Sequence, residues 1–197
     1  MSRAVLTRVL GVACLFALAA CAREPASRSH PLALEAGVPI DNELMAYLSM
    51  ARARHHQANL EEDDNLPTAI ASLEKLTVAP RPHPQEKTPE IEEVLADTFA
   101  RLAELELRVP DVTAATESVR QGLLHATEPS YFRGHLLEVG GLVEEAHEAS
   151  LRDAGATAAA SAARKKAIDL FQQAVNVQEL VVQSSLRKDA ASEGGSK

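Results

Sequence analysis

The stretch PEIEEVLADTFARLAELELRV, residues 89–109, decides the fold class of this chain. Its apolar positions recur at alternating steps of four and three residues, which places them on one face of an α-helix. These positions are Ile91, Leu95, Thr98, Leu102, Leu105 and Val109. Thr88 and Pro89 provide the start, because proline at the first helical position loses no hydrogen bond. The stretch therefore predicts a long helix with one buried face.

Five further stretches around this one show the same helical period. Asp41, Pro67 and Ser130 mark the starts of the first, second and fifth helices, and Pro110-Asp111 separates the third from the fourth. Gly155 ends the fifth helix, because it can adopt a left-handed conformation. The predicted inward residues of the other helices are Leu44, Leu48, Ala51, His55 and Ala58; Ala69, Leu73 and Leu76; Val112, Ala115, Val119 and Leu123; Phe132, Leu136, Val139, Val143 and Ala146; and Ala163, Ala167, Leu170, Ala174, Val177 and Val181.

The connections and the composition define the predicted architecture. Short connectors join helices one to two, three to four and five to six, so consecutive helices should pack antiparallel. Aromatic residues make up only 3% of the chain and Trp is absent, so the core must be built from small aliphatic side chains. We therefore expect an all-α domain of three consecutive helical hairpins over residues 39–187. The polar residues 188–197 are expected to be a disordered tail.

The charge balance limits the classes of partner. The chain has 20 basic and 28 acidic residues, a net charge of −8. A negative field repels phosphate backbones and anionic lipid headgroups. Nucleic acid is therefore excluded as an expected partner.

The N-terminal residues 1–20 have the pattern of a secretory signal. Arg3 and Arg8 precede an apolar run, Val9–Ala20, that is too short to span a bilayer. The run ends in Leu18-Ala19-Ala20-Cys21, which resembles the lipobox of bacterial lipoproteins. The alternatives are a plain secretory signal cut after Ala-x-Ala, with Cys21 incidental, and lipidation of Cys14. We reject Cys14 because it lies inside the apolar run.

The lipoprotein resemblance implies a cellular location and a membrane anchor. It implies cleavage before Cys21, a diacylglyceryl group and an amide-linked acyl chain on that residue, and stable membrane attachment. In lipoproteins of this kind, an Asp after the lipidated Cys favours retention in the inner membrane. Ala22 occupies this position, so the resemblance implies the outer membrane of a bacterial envelope, facing the periplasm. Residues 21–38 would form a lipidated flexible tether. Without a free thiol, the mature chain would form no disulfide and perform no thiol catalysis.

The second helices share a small signature that resembles tetratricopeptide repeats. It consists of an alanine, a large residue four positions later and a third residue three positions after that. Its three copies are Ala69, Leu73, Leu76; Ala115, Val119, Gly122; and Ala167, Phe171, Ala174. In the middle hairpin, Phe99, Leu102 and Ala103 also match the first helix of a repeat, and Pro80 and Pro129 lie near repeat ends. Three features depart from the tetratricopeptide pattern. Leu76 is large where a small residue is usual, and Glu106 occupies a position that is usually aromatic. The first alanines of the three copies are also farther apart than the usual period of about 34 residues.

The repeat resemblance implies a right-handed array that binds a protein or peptide. Such arrays are not enzymes and need no cofactor; they bind along a concave face made by their first helices. By resemblance, Arg54, Asp97 and Glu104 would face that groove. The alternative is that these three are solvated surface charges. The expected function is that of a non-enzymatic interaction scaffold or assembly factor for an envelope protein.

Histidines provide the alternative function, a periplasmic helical bundle that binds a small ligand or a metal. The residues for it are His55, His56 and His147. Adjacent histidines on a helix point about 100° apart and cannot easily bind one ion, and His55 lies on the apolar face. Glu144-x-x-His147 has the spacing of di-iron bundles, but those proteins carry the motif twice. No metal site and no catalytic residue is therefore predicted.

Overall fold

The computed structural model describes the backbone of residues 40–194 and the side chains of residues 40–187. Its elements are α1 (Asn42–Glu61), α2 (Leu66–Thr77), α3 (Pro89–Arg108), α4 (Val112–His125), α5 (Tyr131–Asp153) and α6 (Thr157–Gly194). Helices are the only regular elements in this part of the chain. The prediction of an all-α protein is confirmed.

Short polar side chains begin most of the helices. Asp41 accepts hydrogen bonds from the backbone N–H groups of Glu43 and Leu44, both at 3.0 Å. The side chains of Asn65, Asp111 and Ser130 cap α2, α4 and α5 in the same way. Helix α2 begins at Leu66, one residue before the predicted start, because the side chain of Asn65 caps it.

The end of α5 depends on the backbone of Gly155. This residue has φ of +75°, in the left-handed region that glycine adopts without steric cost. The N–H of Ala156 bonds the carbonyl of Leu151, and the N–H of Gly155 bonds that of Arg152, both at 2.9 Å. This arrangement satisfies the last carbonyls of the helix and turns the chain sharply into α6.

Helix α3 lies at the centre of the packing, and α1, α2, α4 and α5 all contact it. One apolar cluster joins Tyr47, Ala51 and Leu76 to the first half of α3, and a second joins Ala58, Ala69 and Leu73 to its second half. Five of the six predicted inward residues of α3 are buried, Ile91, Leu95, Thr98, Leu102 and Leu105. Val109 is 40% exposed, contrary to the prediction, because the helix ends at Arg108 and the face no longer continues.

Helices α4, α5 and α6 continue the packing: α4 contacts α3, α5 contacts α3 and α4, and α6 contacts α5. Ala103 and Ala115 pack with Val119, Val139 and Val143 between α3, α4 and α5. Helix α6 contacts α5 through small residues, of which Ala163, Ala167 and Ala174 are buried. These small side chains allow the two helix axes to approach closely.

Three predictions concern the ends of the chain. The signal peptide of residues 1–20 and most of the tether, with Cys21, lie outside the described residues. At the other end, α6 continues to Gly194, into the stretch that was expected to be disordered. Residues 188–193 contain Lys, Ala and Glu, which are strong helix formers and extend an existing helix readily. No helix within residues 40–194 is both long and apolar enough to cross a bilayer.

Candidate interaction surface

A polar stripe runs along the exposed face of α3, between α1 and α5. Asp97, Arg101, Glu104 and Arg108 follow one another at steps of four, three and four residues, so they lie on one face of the helix. This face is roughly opposite the residues that contact α2 and α4. We call these four residues, and their partners on α5, on α1 and directly after its C-terminal end, the α3 seam.

Ion pairs connect the seam to the end of α1. Arg101 donates to Glu62 and, at 2.8 Å, to Glu104. Arg108 donates to Glu62 and to Asp63, both at 3.2 Å. Single ion pairs of this exposure stabilise a fold by less than about 1 kcal/mol, but shared partners make a network more rigid than its separate pairs. Arg101 and Arg108 share Glu62, so the network joins α3 to the C-terminal end of α1.

Glu104 connects the seam to α5. Its second carboxylate oxygen lies 3.1 Å from Nε2 of His135. The hydrogen bond to Glu104 raises the pKa of His135 against the opposing effect of burial, and Asp97 and Glu138 raise it further. Burial acts to raise the pKa of Glu104, but the hydrogen bonds from His135 and Arg101 outweigh it and the pKa is lowered. The pair is therefore stabilised in its charged form.

His55 forms a separate contact at the α1 side of the seam. Its Nε2 lies 2.9 Å from the hydroxyl of Thr98, which is fully buried and donates its own proton to the carbonyl of Val94 at 2.7 Å. Nε2 must therefore be the donor to Thr98. Burial lowers the pKa of His55, although Asp97, 3.7 Å from Nδ1, opposes the shift.

An open cleft lies beside His55. It has a volume of about 370 Å³ and is lined by Leu48, Ala51, Arg52, His55, Val94 and Asp97. Three of its lining residues are apolar and three are polar, so the cleft can accommodate the aliphatic part of a side chain beside groups of both charges.

The structure brings two of the three predicted groove residues together. Asp97 and Glu104 both lie in the α3 seam. Arg54 lies on the other flank of α1, where its backbone carbonyl accepts a hydrogen bond of 3.2 Å from Ser72 of α2. Arg54 does not join Asp97 and Glu104 in the seam, because adjacent residues of a helix point about 100° apart and its neighbour His55 faces α3.

Several seam residues were not singled out by sequence reasoning. Arg101 and Arg108 could have been found, because they complete the helical spacing of Asp97 and Glu104. His135 and Glu62 could not, because their contacts depend on how α5 and α1 pack against α3.

The histidines of the alternative function do not converge. His56 is exposed on α1. His147 Nδ1 lies 3.8 Å from Glu144, whose other oxygen binds Nζ of Lys166 at 2.5 Å. Within the described residues, no three His, Cys, Asp or Glu side chains meet at a point where they could hold a metal ion.

A second polar cluster lies at the junction of α3 and α4. Nδ1 of His125 is 2.8 Å from Glu92, and its ring stacks on Phe99 with centroids 5.7 Å apart. Arg81 lies 3.8 Å from the other oxygen of Glu92. The cluster ties the long α2–α3 connection to the end of α4 and opens onto a shallow cleft of about 260 Å³.

Comparison with models of known protein families, with curated proteins and with solved structures gives no match.

Proposed function

We propose that this chain is a lipid-anchored, non-enzymatic scaffold of a bacterial envelope that binds another envelope protein along the α3 seam. The anchor would be Cys21, and the location would be the outer membrane, facing the periplasm. The six helices would act as three antiparallel hairpins in a degenerate tetratricopeptide-like array. The partner would be a protein or peptide rather than nucleic acid.

The pattern of helix contacts supports the array. Each of α2 and α4 contacts the helix before it and the helix after it, and α3 contacts both α1 and α5. First helices that lie side by side, with second helices behind them, are the arrangement by which helical repeats build an extended binding face.

The single observation that carries the proposal is the chemistry of the α3 seam. Charged groups from three places bind one another: Glu62 directly after α1, Arg101 and Glu104 on α3, and His135 on α5. Fixed polar groups beside a cleft, with Tyr131 65% exposed near His135, are suited to recognising a polypeptide.

Site-specific photocrosslinking in intact cells tests the proposal. Tyr131 is replaced by a photoreactive phenylalanine derivative, a conservative change at an exposed aromatic position. Leu124 on α4, also exposed at 55%, receives the same group as a matched control. We expect a discrete protein adduct from position 131 and none from position 124. The absence of an adduct at 131, or the same adduct from both positions, would contradict the proposal.

A further inference from the structure

The connection between α2 and α3 packs against Tyr47. Residues 79–87, which we call the strap, lie between the C-cap of α2 and the N-cap of α3. Ala79 packs on the apolar cluster that contains Tyr47, and Pro80, Arg81 and Pro82 line a cleft together with it. Tyr47 itself is only 4% exposed. The strap therefore contributes to the cover of this side chain.

The hydroxyl of Tyr47 is buried without a hydrogen-bond partner among the described residues. Burial raises the pKa of this phenol, and Arg81 acts against that shift. A buried hydroxyl of this kind has lost its hydrogen bonds to water and has gained none from the protein. The closed position of the strap therefore carries a cost that exposure of Tyr47 to water would remove.

The backbone of His83 adds strain to the closed strap. Its φ is +49°, a left-handed conformation that residues with a Cβ atom rarely adopt. Pro84 follows directly, and a residue before proline is restricted further. If the strap left its position, His83 could return to a more favourable backbone conformation.

A hydrogen bond between His83 and Asp41 opposes these costs. Nε2 of His83 lies 2.8 Å from Oδ2 of Asp41 and donates to it, because a carboxylate only accepts. The other oxygen of Asp41 accepts from two backbone N–H groups and caps α1. One carboxylate therefore joins the middle of the strap to the first turn of α1. Arg81 adds a looser contact, 3.8 Å from Glu92 on α3.

Open space on both sides gives the strap room to move. One cleft, of about 440 Å³, lies between the strap and α1. Another, of about 290 Å³, lies between the strap, the start of α3 and the end of α4. Arg81 and Pro82 line both clefts, so they form the partition between them. Displacement of this partition would join the two clefts into one groove that reaches Tyr47.

We propose that the strap is a latched cover, which the hydrogen bond between His83 and Asp41 holds closed over Tyr47 and whose release opens a single groove between α1, α3 and α4. The latch lies at the N-terminal end of α1, whereas the α3 seam joins α3 to the C-terminal end of that helix. No residue of the strap belongs to the seam, so failure of either proposal leaves the other standing.

Nitration of tyrosine, followed by mass spectrometry of peptides, tests the cover in the full chain at mildly alkaline pH. The chain has two tyrosines, and Tyr131, which is 65% exposed, is an internal reference for Tyr47 in the same sample. When opening and closing are faster than the reaction, the nitration rate of Tyr47 is proportional to the fraction of molecules in which the strap is open. We expect Tyr47 of the native chain to react far more slowly than Tyr131.

Substitutions at Asp41 and His83 separate the latch from the helix cap. Serine caps a helix about as well as aspartate, but Asp41→Ser leaves a side chain too short to reach His83. We expect it to speed nitration of Tyr47 roughly two- to fivefold, the effect of losing one exposed pair. His83→Asn, which tolerates the left-handed backbone, should act similarly. Asp41→Asn should lie between, because its amide oxygen can still accept from His83.

Asp111→Ser is the matched control, because Asp111 caps α4 in the same way without contacting the strap. It should leave the nitration rate of Tyr47 unchanged. Urea below the unfolding transition separates opening of the strap from unfolding of the domain, because the effect of urea scales with the surface exposed. We expect such urea to change the rate only slightly. Circular dichroism checks that the variants keep their helices.

Four results would overturn the proposal. Nitration of native Tyr47 as fast as that of Tyr131 would show that the strap does not cover it. An unchanged rate in Asp41→Ser or in His83→Asn would show that their hydrogen bond is not the latch. An equal increase in Asp111→Ser would indicate general loosening of the helices. A steep rise of the rate with dilute urea would assign the exposure of Tyr47 to unfolding of the whole domain.

Discussion

At the scale of single residues, His55 and His135 show how position determines protonation. Both imidazoles lie where a helix meets α3. His55 is held by a neutral hydroxyl and its pKa is lowered by burial, whereas His135 contacts the carboxylate of Glu104 and its pKa is raised. We therefore expect His135 to take up a proton at a higher pH than His55.

Replacing Glu104 by Gln tests the cause of the shift at His135. The variant removes the charge that favours the imidazolium, while burial still disfavours it, so the pKa of His135 should fall. Nuclear magnetic resonance of the imidazole carbons across a pH titration measures the change. Glu138→Gln is the control, because Glu138 contributes less to the shift and should lower the pKa by a smaller amount. An equal effect of both variants would show that Glu104 has no special role.

The same pair predicts how stability depends on pH. The raised pKa of His135 gives stability that is full below its unfolded value of 6.5 and is lost as the pH rises through the folded pKa. The lowered pKa of Glu104 gives stability that is full above its unfolded value of 4.5 and is lost as the pH falls. Urea unfolding should therefore show the largest loss in Glu104→Gln between pH 4.5 and 6.5, and a smaller loss above that range. A loss that does not vary with pH would exclude the charged pair as its cause.

Glu106 is a residue whose charge should cost stability. Its side chain is 8% exposed, and one carboxylate oxygen is buried without a partner among the described residues. Burial raises its pKa against a hydrogen bond from Ser118 that lowers it, and Asp111 and Glu74 act in the same direction as burial. We expect Glu106→Gln to stabilise the fold by about 1 kcal/mol at pH 7, because an amide is less costly to bury than a carboxylate. The gain should vanish near pH 4, below the unfolded pKa of 4.5. Urea unfolding at both pH values measures it, with exposed Glu145→Gln as the control. A variant less stable than the native chain at pH 7 would contradict the prediction.

At the scale of elements, Gly141 sets the distance between α5 and α6. A Cβ atom at this position would overlap the ring of Phe171. Gly141→Ala should therefore destabilise the domain by roughly 1–3 kcal/mol, in spite of the better helix propensity of alanine. Thermal unfolding measures the loss.

The neighbouring glycine supplies the control for that substitution. A Cβ at position 140 would meet Val119 at 3.2 Å, which requires only a small adjustment, so Gly140→Ala should cost less. Combining Gly141→Ala with Phe171→Leu should recover part of the lost stability, because the smaller side chain removes the overlap. An unchanged melting temperature in Gly141→Ala would show that the helices separate without cost.

The elements also show what the sequence could predict. The buried face of α3 was predictable because its spacing is regular and its residues are large. The length of α6 was underestimated because the polar residues after Arg187 resemble a tail, although their helix propensity is high. For the α3 seam, Asp97 and Glu104 were found from the helical register. Arg54 and the contacts of His135 could not be assigned, because side-chain pairing between helices depends on axial distance and rotation, which periodicity does not encode.

At the scale of the whole molecule, lipidation of Cys21 would determine where the proposed scaffold acts. Two or more acyl chains hold a protein stably at a membrane, and one chain does not. We expect Cys21→Ser to abolish lipid labelling and to move the protein from the membrane fraction to the soluble fraction. Cys14→Ser is the control and should leave both properties unchanged. Unaltered membrane fractionation of Cys21→Ser would refute the anchor.

The order of helix contacts from α1 to α6 determines how local unfolding in one helix affects the others. In the described residues α1 and α2 contact only each other and α3, so any effect that they have on α5 or α6 passes through α3. We therefore expect fraying at the N-terminal end to leave the contact between α5 and α6 intact, as in one-dimensional assemblies whose units melt in sequence. A strained or mutated first pair would loosen by itself, while the terminal pair kept its shape and whatever is bound to it.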